Sequence, residues 1–300
     1  MNPEELDAGH LQQWVGKTEV MHEVVRPEVA AALAATLDHA NVPHAGDPLP
    51  PLWHWTNFNA VVPQSQIGAD GHPRRGGFLP PVPLPRRMWA GGRFVFHAPV
   101  PIGAELTRTS TIASVQAKTG SSGRLVFVTV RHAITRDGQP AITEEHDIVY
   151  RDLAAPGSTP PPPKAAPLEA RWSRTIHPDP VLLFRYSALT FNGHRIHYDR
   201  SYVTEVEGYP GLIVHGPLIA TLLLDLVRRE LPERTIAEFS FRALAPLFDT
   251  ESFDVCGTPA ADGDTIKLWA RNQRGELAME AQAILHPAAA HATSPNGEPA

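Results

Sequence analysis

The sequence predicts an α+β protein made of two similar halves, each packing an antiparallel sheet against a helix. Each half has a Phe-x-Phe strand that leads into an apolar turn, and then β-branched runs with a hairpin pattern. Gly138 and Gly275 lie where these hairpins would turn, and Asp-Gly between such runs is a strong hairpin signal. The repeated segments are residues 94–106 with 239–253, 125–149 with 265–285, and 50–58 with 210–218.

In chain order, the first half begins with a short helix and connector over residues 1–25. A helix over 29–39 follows, because this stretch is rich in Ala and Leu and comes after Pro27. Residues 63–92 are dense in Pro, Gly and Arg and predict a long irregular loop, a type that is usually functional or disordered. From Arg93 the pattern changes to four strands with turn signals between them.

A proline-rich segment divides the two halves. PGSTPPPPKAAP has the composition of a stiff, extended linker. We therefore expect a first half over residues 1–155, a linker over 156–167 and a second half over 168–286. The tail over residues 287–300 is small and polar, and we expect it to be disordered.

Composition excludes several classes of protein. The 300 residues, 42% hydrophobic and 19% charged, are typical of a globular chain and exclude a disordered one. A net charge of −6 leaves no basic footprint for nucleic acid, and the single cysteine excludes an internal disulfide framework. The first ten residues lack the apolar stretch of a signal peptide, and Asp225 interrupts the longest apolar run. We therefore expect a cytoplasmic protein with no membrane or nucleic-acid partner.

Residues 182–223 carry the groups best suited to chemistry. An apolar and aromatic run ends in the polar cluster FNGHRIHYD, whose two histidines can move protons near neutral pH. Gly216 and Pro217 then open a strongly apolar segment, which is a helix-start pattern. The N–H of Gly216 would lie at the positive end of that helix, where it can stabilise a developing negative charge.

This stretch resembles the hydratase motif of the MaoC-like, hot-dog fold (R)-specific enoyl-CoA hydratases. His197 occupies the position of the family's histidine, and His215 with Gly216 that of the His-Gly that opens the buried helix. Asn192 stands where the family has aspartate, and His194 where it has asparagine.

With Arg195 in place of the family's proline, the motif is similar to the subgroup called 3-hydroxyacyl-thioester dehydratase type 2. GHPRRGGFLPPVPLPRRMWAGG, residues 71–92, also resembles that subgroup, and the likeness runs from about Trp14 to about Leu285. The resemblance implies a double hot-dog fold, with two antiparallel sheets that each wrap a central helix.

The resemblance also implies roles for the polar residues. His197 is expected to be the base, the alternative being an ordinary partly buried histidine. Asn192 cannot be a base, so it either assists the base, by binding the attacking water or orienting an imidazole, or shapes a turn. His194 either shares proton transfer or merely lies beside His197, and a helical turn would bring the two together. Tyr198 and His215 are assigned to the substrate site, with packing as the alternative for Tyr198.

Arginines are the candidates for binding the acidic parts of a substrate. A guanidinium fork suits a carboxylate or the phosphates of CoA, although each arginine could equally be a solvated surface charge. The candidates are Arg74, Arg75, Arg86 and Arg87 in the long loop, and Arg185 before the motif.

No metal or cofactor is expected. The histidines outside the motif, which include His54, His72, His132 and His146, are scattered without the spacing of zinc ligands. CoA would arrive as part of the substrate.

The repeat predicts a single active site. Aligning the two helix entries puts Trp55 and Thr56 at the positions of His215 and Gly216, and the apolar Leu37 opposite His197. The first half is therefore expected to supply packing and a wall of the substrate cavity.

The implied reaction is reversible addition of water to the double bond of an α,β-unsaturated or methylene dicarboxylic acyl-CoA. The subgroup implies a branched C5 dicarboxylic substrate, mesaconyl-C4-CoA or itaconyl-CoA, with citramalyl-CoA as the product. The alternatives are an (R)-specific 3-hydroxyacyl-ACP or -CoA dehydratase of fatty-acid metabolism, a hot-dog acyl-CoA thioesterase and a non-catalytic acyl-CoA-binding module. A homodimer is the candidate assembly.

Overall fold

The computed structural model describes residues 7–120, 123–152 and 162–287, and its strands form one antiparallel sheet. The strands are β1 Thr18–Val24, β2 Arg86–Phe96, β3 Glu105–Gly120, β4 Gly123–Arg136, β5 Gln139–Arg151, β6 Trp172–Ile176, β7 Ile236–Ala243, β8 Phe253–Pro259, β9 Thr265–Asn272 and β10 Leu277–Leu285. The helices are α1 Ala8–Gln12, α2 Pro27–Thr36, α3 Pro180–Leu189 and α4 Gly216–Glu230. The predicted α+β class is confirmed.

The strand order confirms the internal repeat. The order β1-β3-β4-β5-β2 in the first half is mirrored by β7-β10-β9-β8-β6 in the second, and β2 pairs with β7 across the seam. At that seam a Cβ on Gly91 would lie 2.6 Å from the carbonyl oxygen of Phe241, so only glycine fits there. Phe94 pairs with Phe239 in the same register, which places the two Phe-x-Phe strands side by side.

The two halves differ in their central helix. In the second half, α4 is buried over residues 218–227 and packs on strands β6, β8, β9 and β10. At the corresponding place the first half has only a 3-10 helix, Trp53–Thr56, before the Pro- and Gly-rich loop. Because proline removes a helical hydrogen bond and clashes with the preceding turn, this loop cannot continue as a helix.

The register of the repeat corrects one part of the sequence alignment. The N–H of Leu49 donates to Val100 as that of Val214 donates to Leu247, so Pro50 and Pro51 correspond to His215 and Gly216. The predicted match with Trp55 and Thr56 is wrong. The position of Gly216 is thus taken in the first half by a proline, which has no N–H to donate.

Leu37 is also misplaced in the sequence alignment. It is the C-cap of α2, as Thr190 is of α3, and each is followed by a residue with positive φ, Asp38 at 56° and Phe191 at 49°. Leu37 therefore corresponds to Thr190 and not to His197.

A buried ion-pair group fastens α4 to α2. Asp225, in the apolar face of α4, accepts from Arg229 Nε at 2.7 Å and from Arg174 Nη1 at 3.1 Å. Arg229 also donates to the carbonyl of Leu37 at 3.0 Å. The charge that interrupts the apolar run is thus neutralised inside the fold, as a buried carboxylate requires.

The end of the predicted linker pairs with the second half. Ala165 bridges Glu276 and the N–H of Ala166 donates to Gly275, next to the β9–β10 hairpin. Residues 156–161 of the predicted linker, and the predicted tail beyond residue 287, lie outside the described residues. Within the part of the chain that is described, no helix is long and apolar enough to cross a bilayer.

Candidate active site

A tight turn between α3 and α4 brings the motif histidines together. The side-chain Oδ1 of Asn192 accepts from the backbone N–H of His194 at 3.0 Å, and a 3-10 turn follows over Arg195–His197. Side chains three apart in such a turn share a face. The rings of His194 and His197 accordingly meet edge to face, with centroids 5.5 Å apart, as a helical turn predicted.

His197 is held in its neutral form. Its ring is 7% exposed, and Nδ1 lies 2.7 Å from the carbonyl oxygen of Ile213. Since a carbonyl can only accept, Nδ1 carries the proton and Nε2 has the free lone pair. Burial lowers the pKa of His197 to about 4, so at neutral pH the imidazole is uncharged and can accept a proton.

His215 lies directly behind the ring of His197. It is fully buried, its ring stacks on His197 with centroids 3.7 Å apart, and its Nε2 lies 2.8 Å from the Ser187 hydroxyl. Burial keeps the pKa of His215 well below its usual value. This placement favours support of His197 over the predicted contact with substrate.

Gly216 offers an open amide at the start of α4. Among the described residues, no acceptor takes its N–H, and no atom outside the adjoining backbone lies within 4 Å of where a Cβ would be. Pro217 follows and has no N–H of its own. His215 both precedes Gly216 and stacks on His197, so it connects the His197 ring to the start of α4.

The other motif residues shape the turn. Asn192 caps it through Oδ1, which favours the turn-shaping alternative. The Tyr198 hydroxyl donates to the carbonyl of Gly193 at 2.9 Å, and its ring is 45% exposed. Asp199 accepts from Arg195 and from the N–H of Tyr202. These hydrogen bonds join residues of the same segment and so stabilise its folded turn.

Sequence reasoning missed two residues of this site, Asp70 and His72, which the first half contributes. The ring of His72 lies 4.1 Å from that of His194, and Asp70 Oδ2 lies 3.2 Å from His72 Nδ1. The prediction that His72 is one of the scattered histidines is therefore wrong. The only signal in the sequence was an Asp and a His two residues apart in the long loop.

Asp70, His72 and His194 are the described residues that could hold a metal ion. Their ligand atoms lie within 4.8 Å of one another. However, the positive charges of Arg75 and Arg87 act on His72, which opposes a bound cation.

The candidate arginines separate into two groups. Arg75 donates to the carbonyls of Val82, Leu84 and Pro85, so its guanidinium holds the loop together. Arg86 donates to the carbonyl of Glu207 at 3.0 Å and lies over the ring of Tyr209. These contacts favour structural roles for both.

Arg74 and Arg87 differ from these two in that their side chains are not tied to backbone carbonyls of the described residues. Both line a cavity of about 350 Å³ together with Asp70 and His72, and neither forms an ion pair with a described residue. Arg185 lies exposed on α3, without an ion pair or hydrogen bond to a described residue. The cavity therefore presents positive charge to a ligand.

A second polar cluster lies in the first half, which was expected to supply only packing and a wall of the substrate cavity. The buried Glu144 accepts from Trp55 Nε1 at 2.7 Å and contacts Nε2 of both His54 and His146. The prediction that His54 and His146 are scattered is therefore also wrong. Since the groups bond to one another and are largely buried, they form a polar core and not an open site.

Comparison with known proteins identifies the family. The model of the hydroxyacyl-thioester dehydratase type 2 family matches residues 52–249. Mesaconyl-C(4)-CoA hydratase of Chloroflexus aurantiacus is 49% identical over 269 residues, 89% of this chain and 95% of that protein. The mitochondrial hydroxyacyl-thioester dehydratase type 2 of Schizosaccharomyces pombe is 30% identical over 69% of this chain and 77% of its own length.

A solved structure confirms the fold. A Mycobacterium tuberculosis protein described as having a double hotdog fold superposes with a TM-score of 0.57 at 14% identity, covering 91% of this chain and 96% of the other. The predicted double hot-dog fold is therefore confirmed, with the shortened helix in the first half. By sequence, the chain belongs to the hydroxyacyl-thioester dehydratase type 2 family of hydro-lyases.

Proposed function

We propose that this hydro-lyase adds water reversibly to the double bond of a branched C5 dicarboxylic acyl-CoA, with mesaconyl-C4-CoA as the first candidate. One observation carries the reaction: the neutral His197, with its lone pair on Nε2, stacks on His215, the residue that directly precedes the open N–H of Gly216. This pair supplies the base and the oxyanion donor that hydration of an unsaturated thioester requires.

In the proposed step, Nε2 of His197 removes a proton from water while the water oxygen bonds to Cβ. The π electrons of the C=C bond move towards Cα and the thioester, and the Gly216 N–H stabilises the negative charge on the thioester oxygen. The imidazolium then returns its proton to Cα, so one water is added and the thioester stays intact. A donor of this kind contributes about 3 kcal/mol to transition-state stabilisation.

The substrate class is supported by sequence and charge together. The relative that is 49% identical is named for mesaconyl-C4-CoA. Addition of water to Cβ of this thioester would give citramalyl-CoA. A free carboxylate on the acyl chain suits the cavity that Arg74 and Arg87 line. Itaconyl-CoA is an isomer with the same free carboxylate, but its double bond joins Cβ to a methylene group, so its hydration to citramalyl-CoA would place the proton on the methylene carbon and not on Cα.

The alternatives make different demands on the site. A 3-hydroxyacyl-ACP or -CoA dehydratase would use the same base but needs a longer, apolar acyl pocket, and the cavity beside His72 is charged instead. A thioesterase needs water activated next to the thioester carbon and not at Cβ. The expected lack of a cofactor, the homodimer and the cytoplasmic location stay predictions.

Incubation of the protein with mesaconyl-C4-CoA, itaconyl-CoA and crotonyl-CoA, followed by mass spectrometry, tests the proposal. Addition of one water to a dicarboxylic thioester, at a kcat/KM well above that for crotonyl-CoA, is the expected result. Release of free CoA would indicate a thioesterase, and preference for crotonyl-CoA the general dehydratase. Binding without turnover of any thioester would indicate an acyl-CoA-binding module.

A further inference from the structure

The motif contains no carboxylate that is free to assist its histidines. Asn192 is uncharged, and its Oδ1 already accepts from the N–H of His194. The one acidic residue of the motif, Asp199, accepts from Arg195, Ser201 and the N–H of Tyr202. When His197 takes a proton in the proposed reaction, nothing within the motif balances the new charge.

A carboxylate reaches this site from the other half of the protein. The loop around residue 70 is docked on the motif by its backbone: the N–H of Arg195 donates to the carbonyl of Asp70 at 2.9 Å, and Arg195 Nη1 donates to Ala69 at 3.1 Å. A Cβ on Gly71 would lie 1.8 Å from the carbonyl oxygen of Gly193. Only glycine permits this approach, so the position of Asp70 is set by the packing of two backbones.

Asp70 holds His72 in one orientation. Its Oδ1 accepts from the backbone N–H of His72 at 3.0 Å, and its Oδ2 lies 3.2 Å from His72 Nδ1. Since an ionised carboxylate can only accept, the proton of His72 is on Nδ1 and the lone pair is on Nε2. Hydrogen bonds from His72 hold the pKa of Asp70 well below its usual value, so the carboxylate is charged whenever the enzyme works.

The imidazoles form a continuous row from the loop to α4. His72 lies 4.1 Å from His194, His194 lies 5.5 Å from His197, and His197 stacks on His215 at 3.7 Å, all measured between ring centroids. Asp70 is at one end of this row and Ser187 is at the other. Of these groups only Asp70 is negative.

We propose that Asp70 and His72 belong to the hydration centre: Asp70 supplies the negative charge that the motif lacks, and through His72 and His194 it stabilises the positive charge that His197 acquires. Both are positioning residues, and the inference rests on the proposed function. One active centre is thus built from both halves of the chain. The first half does more than form a wall of the cavity, which was the prediction from sequence.

The pH dependence of activity should depend on the charge of Asp70, because Asp70 acts on the protonation of the row of imidazoles. The other charged groups that face this row act on it as well. His194 faces His72, His197, Asp70 and Arg87, and His197 faces His72, His194 and His215. His72 faces Asp70, Arg75 and Arg87. Asp70 favours protonation of the row, whereas the arginines oppose it.

Asp70→Asn is the direct test. The amide keeps an oxygen to accept from the N–H of His72, and the backbone contact with Arg195 is unchanged, so the loop should stay docked. We expect kcat/KM for mesaconyl-C4-CoA to fall by about tenfold or more, since one pKa unit of lost stabilisation corresponds to tenfold. The acid limb of the pH profile should move to lower pH, because the base is then harder to protonate. Asp70→Glu should restore part of both.

Asp47→Asn is the matched control. Asp47 is another aspartate of the first half next to a histidine, His44, but it is 53% exposed on its side chain and outside this row. It should leave kcat/KM and the pH profile unchanged. If Asp70→Asn does not fold, His72→Gln takes its place, and it should lower kcat/KM in the same way.

The outcomes separate this inference from the proposed function. Full activity and an unmoved acid limb in folded Asp70→Asn, with His197→Ala inactive, would overturn the inference and leave the proposed function standing. Full activity in both variants would show in addition that His197 is not the base, and would contradict the proposed function. Stoichiometric zinc, lost together with activity on chelation, would also overturn the inference, because Asp70 would then be a metal ligand.

Discussion

The imidazole rings of His197 and His215 stack with centroids 3.7 Å apart and planes inclined by 19°. His215 is fully buried and lies against the Ser187 hydroxyl, so it is a fixed platform for the more accessible ring. Since Nδ1 of His197 is bound to the carbonyl of Ile213, Nε2 is the nitrogen of His197 that is left to accept a proton in the proposed reaction. The hydrogen bond to Ile213 thus selects the nitrogen, and the stack on His215 holds the ring.

His215→Phe and His215→Ala test whether the platform acts by shape. Phenylalanine keeps an aromatic face under His197 and loses the contact with Ser187, whereas alanine leaves a cavity. We expect His215→Phe to keep kcat within about tenfold and His215→Ala to lose more, with a destabilisation of roughly 2–4 kcal/mol from the cavity. Equal loss of kcat in both folded variants would mean that His215 takes part in proton transfer itself.

Gly71→Ala tests the docking of the loop on the motif. Its Cβ would overlap the Gly193 carbonyl, so the loop must move and we expect kcat/KM to fall at least tenfold. Gly76→Ala is the control, since Gly76 lies in the same loop with a φ of 91°, close to the 90° of Gly71, but a Cβ there would make only an ordinary 3.7 Å contact with Pro81. Both should lose about 1–2 kcal/mol of stability from backbone strain. Loss of activity in both would show that strain, and not docking, matters.

Arg87→Leu tests recognition of the free carboxylate. A charged hydrogen bond is worth about 1.5–3 kcal/mol, so KM for mesaconyl-C4-CoA should rise by roughly 10- to 150-fold. Activity on crotonyl-CoA, which has no such carboxylate, should change little. Arg185→Leu, at an exposed position without an ion pair, should alter neither. A parallel loss on crotonyl-CoA would instead assign Arg87 to the CoA phosphates.

Stability should fall as the pH drops below 6.5. Burial lowers the pKa of His132 to about 3, of His146 and His197 to about 4, and of His194 to about 2. Below pH 6.5 these histidines are therefore protonated in the unfolded chain but remain neutral in the folded chain. Each contributes a loss of about 1.4 kcal/mol per pH unit in that window.

Urea unfolding between about pH 7.5 and about pH 5 measures this slope. His132→Phe removes one of these residues, so it should make the slope shallower by about one proton. A free energy of unfolding that is constant or rises on acidification would contradict the buried, neutral state of these rings.

The part of the site that was predictable from sequence is the part that is local in the chain. The short spacing in FNGHRIHYD predicted that His194 and His197 would meet in a turn, and Gly216 with Pro217 predicted the start of α4. Both features depend on a few adjacent residues, whose backbone preferences act at short range.

The contribution of the first half was not predictable in this way. Ala69 and Arg195 are 126 residues apart, and the irregular loop has no periodicity that would place Asp70 near the motif. Arg86 and Arg87 are adjacent residues of the same type, yet one binds Glu207 and the other lines the cavity. The difference arises because successive side chains of a strand point to opposite faces, which required knowing that both lie in β2. The proline density predicted the loop correctly only as far as residue 85, because residues 86–92 belong to β2. The sequence repeat did not show that this loop takes the place of a helix.

Hydration of mesaconyl-C4-CoA by the wild type and by His197→Ala, side by side, tests the base most directly. With folding intact by circular dichroism, the variant should lose about 10²–10⁴ in kcat, while its KM stays within a few-fold because the cavity is unchanged. The wild type should convert the thioester to a product heavier by one water. Near-normal turnover by His197→Ala, or a wild type that releases CoA without adding water, would contradict the assignment.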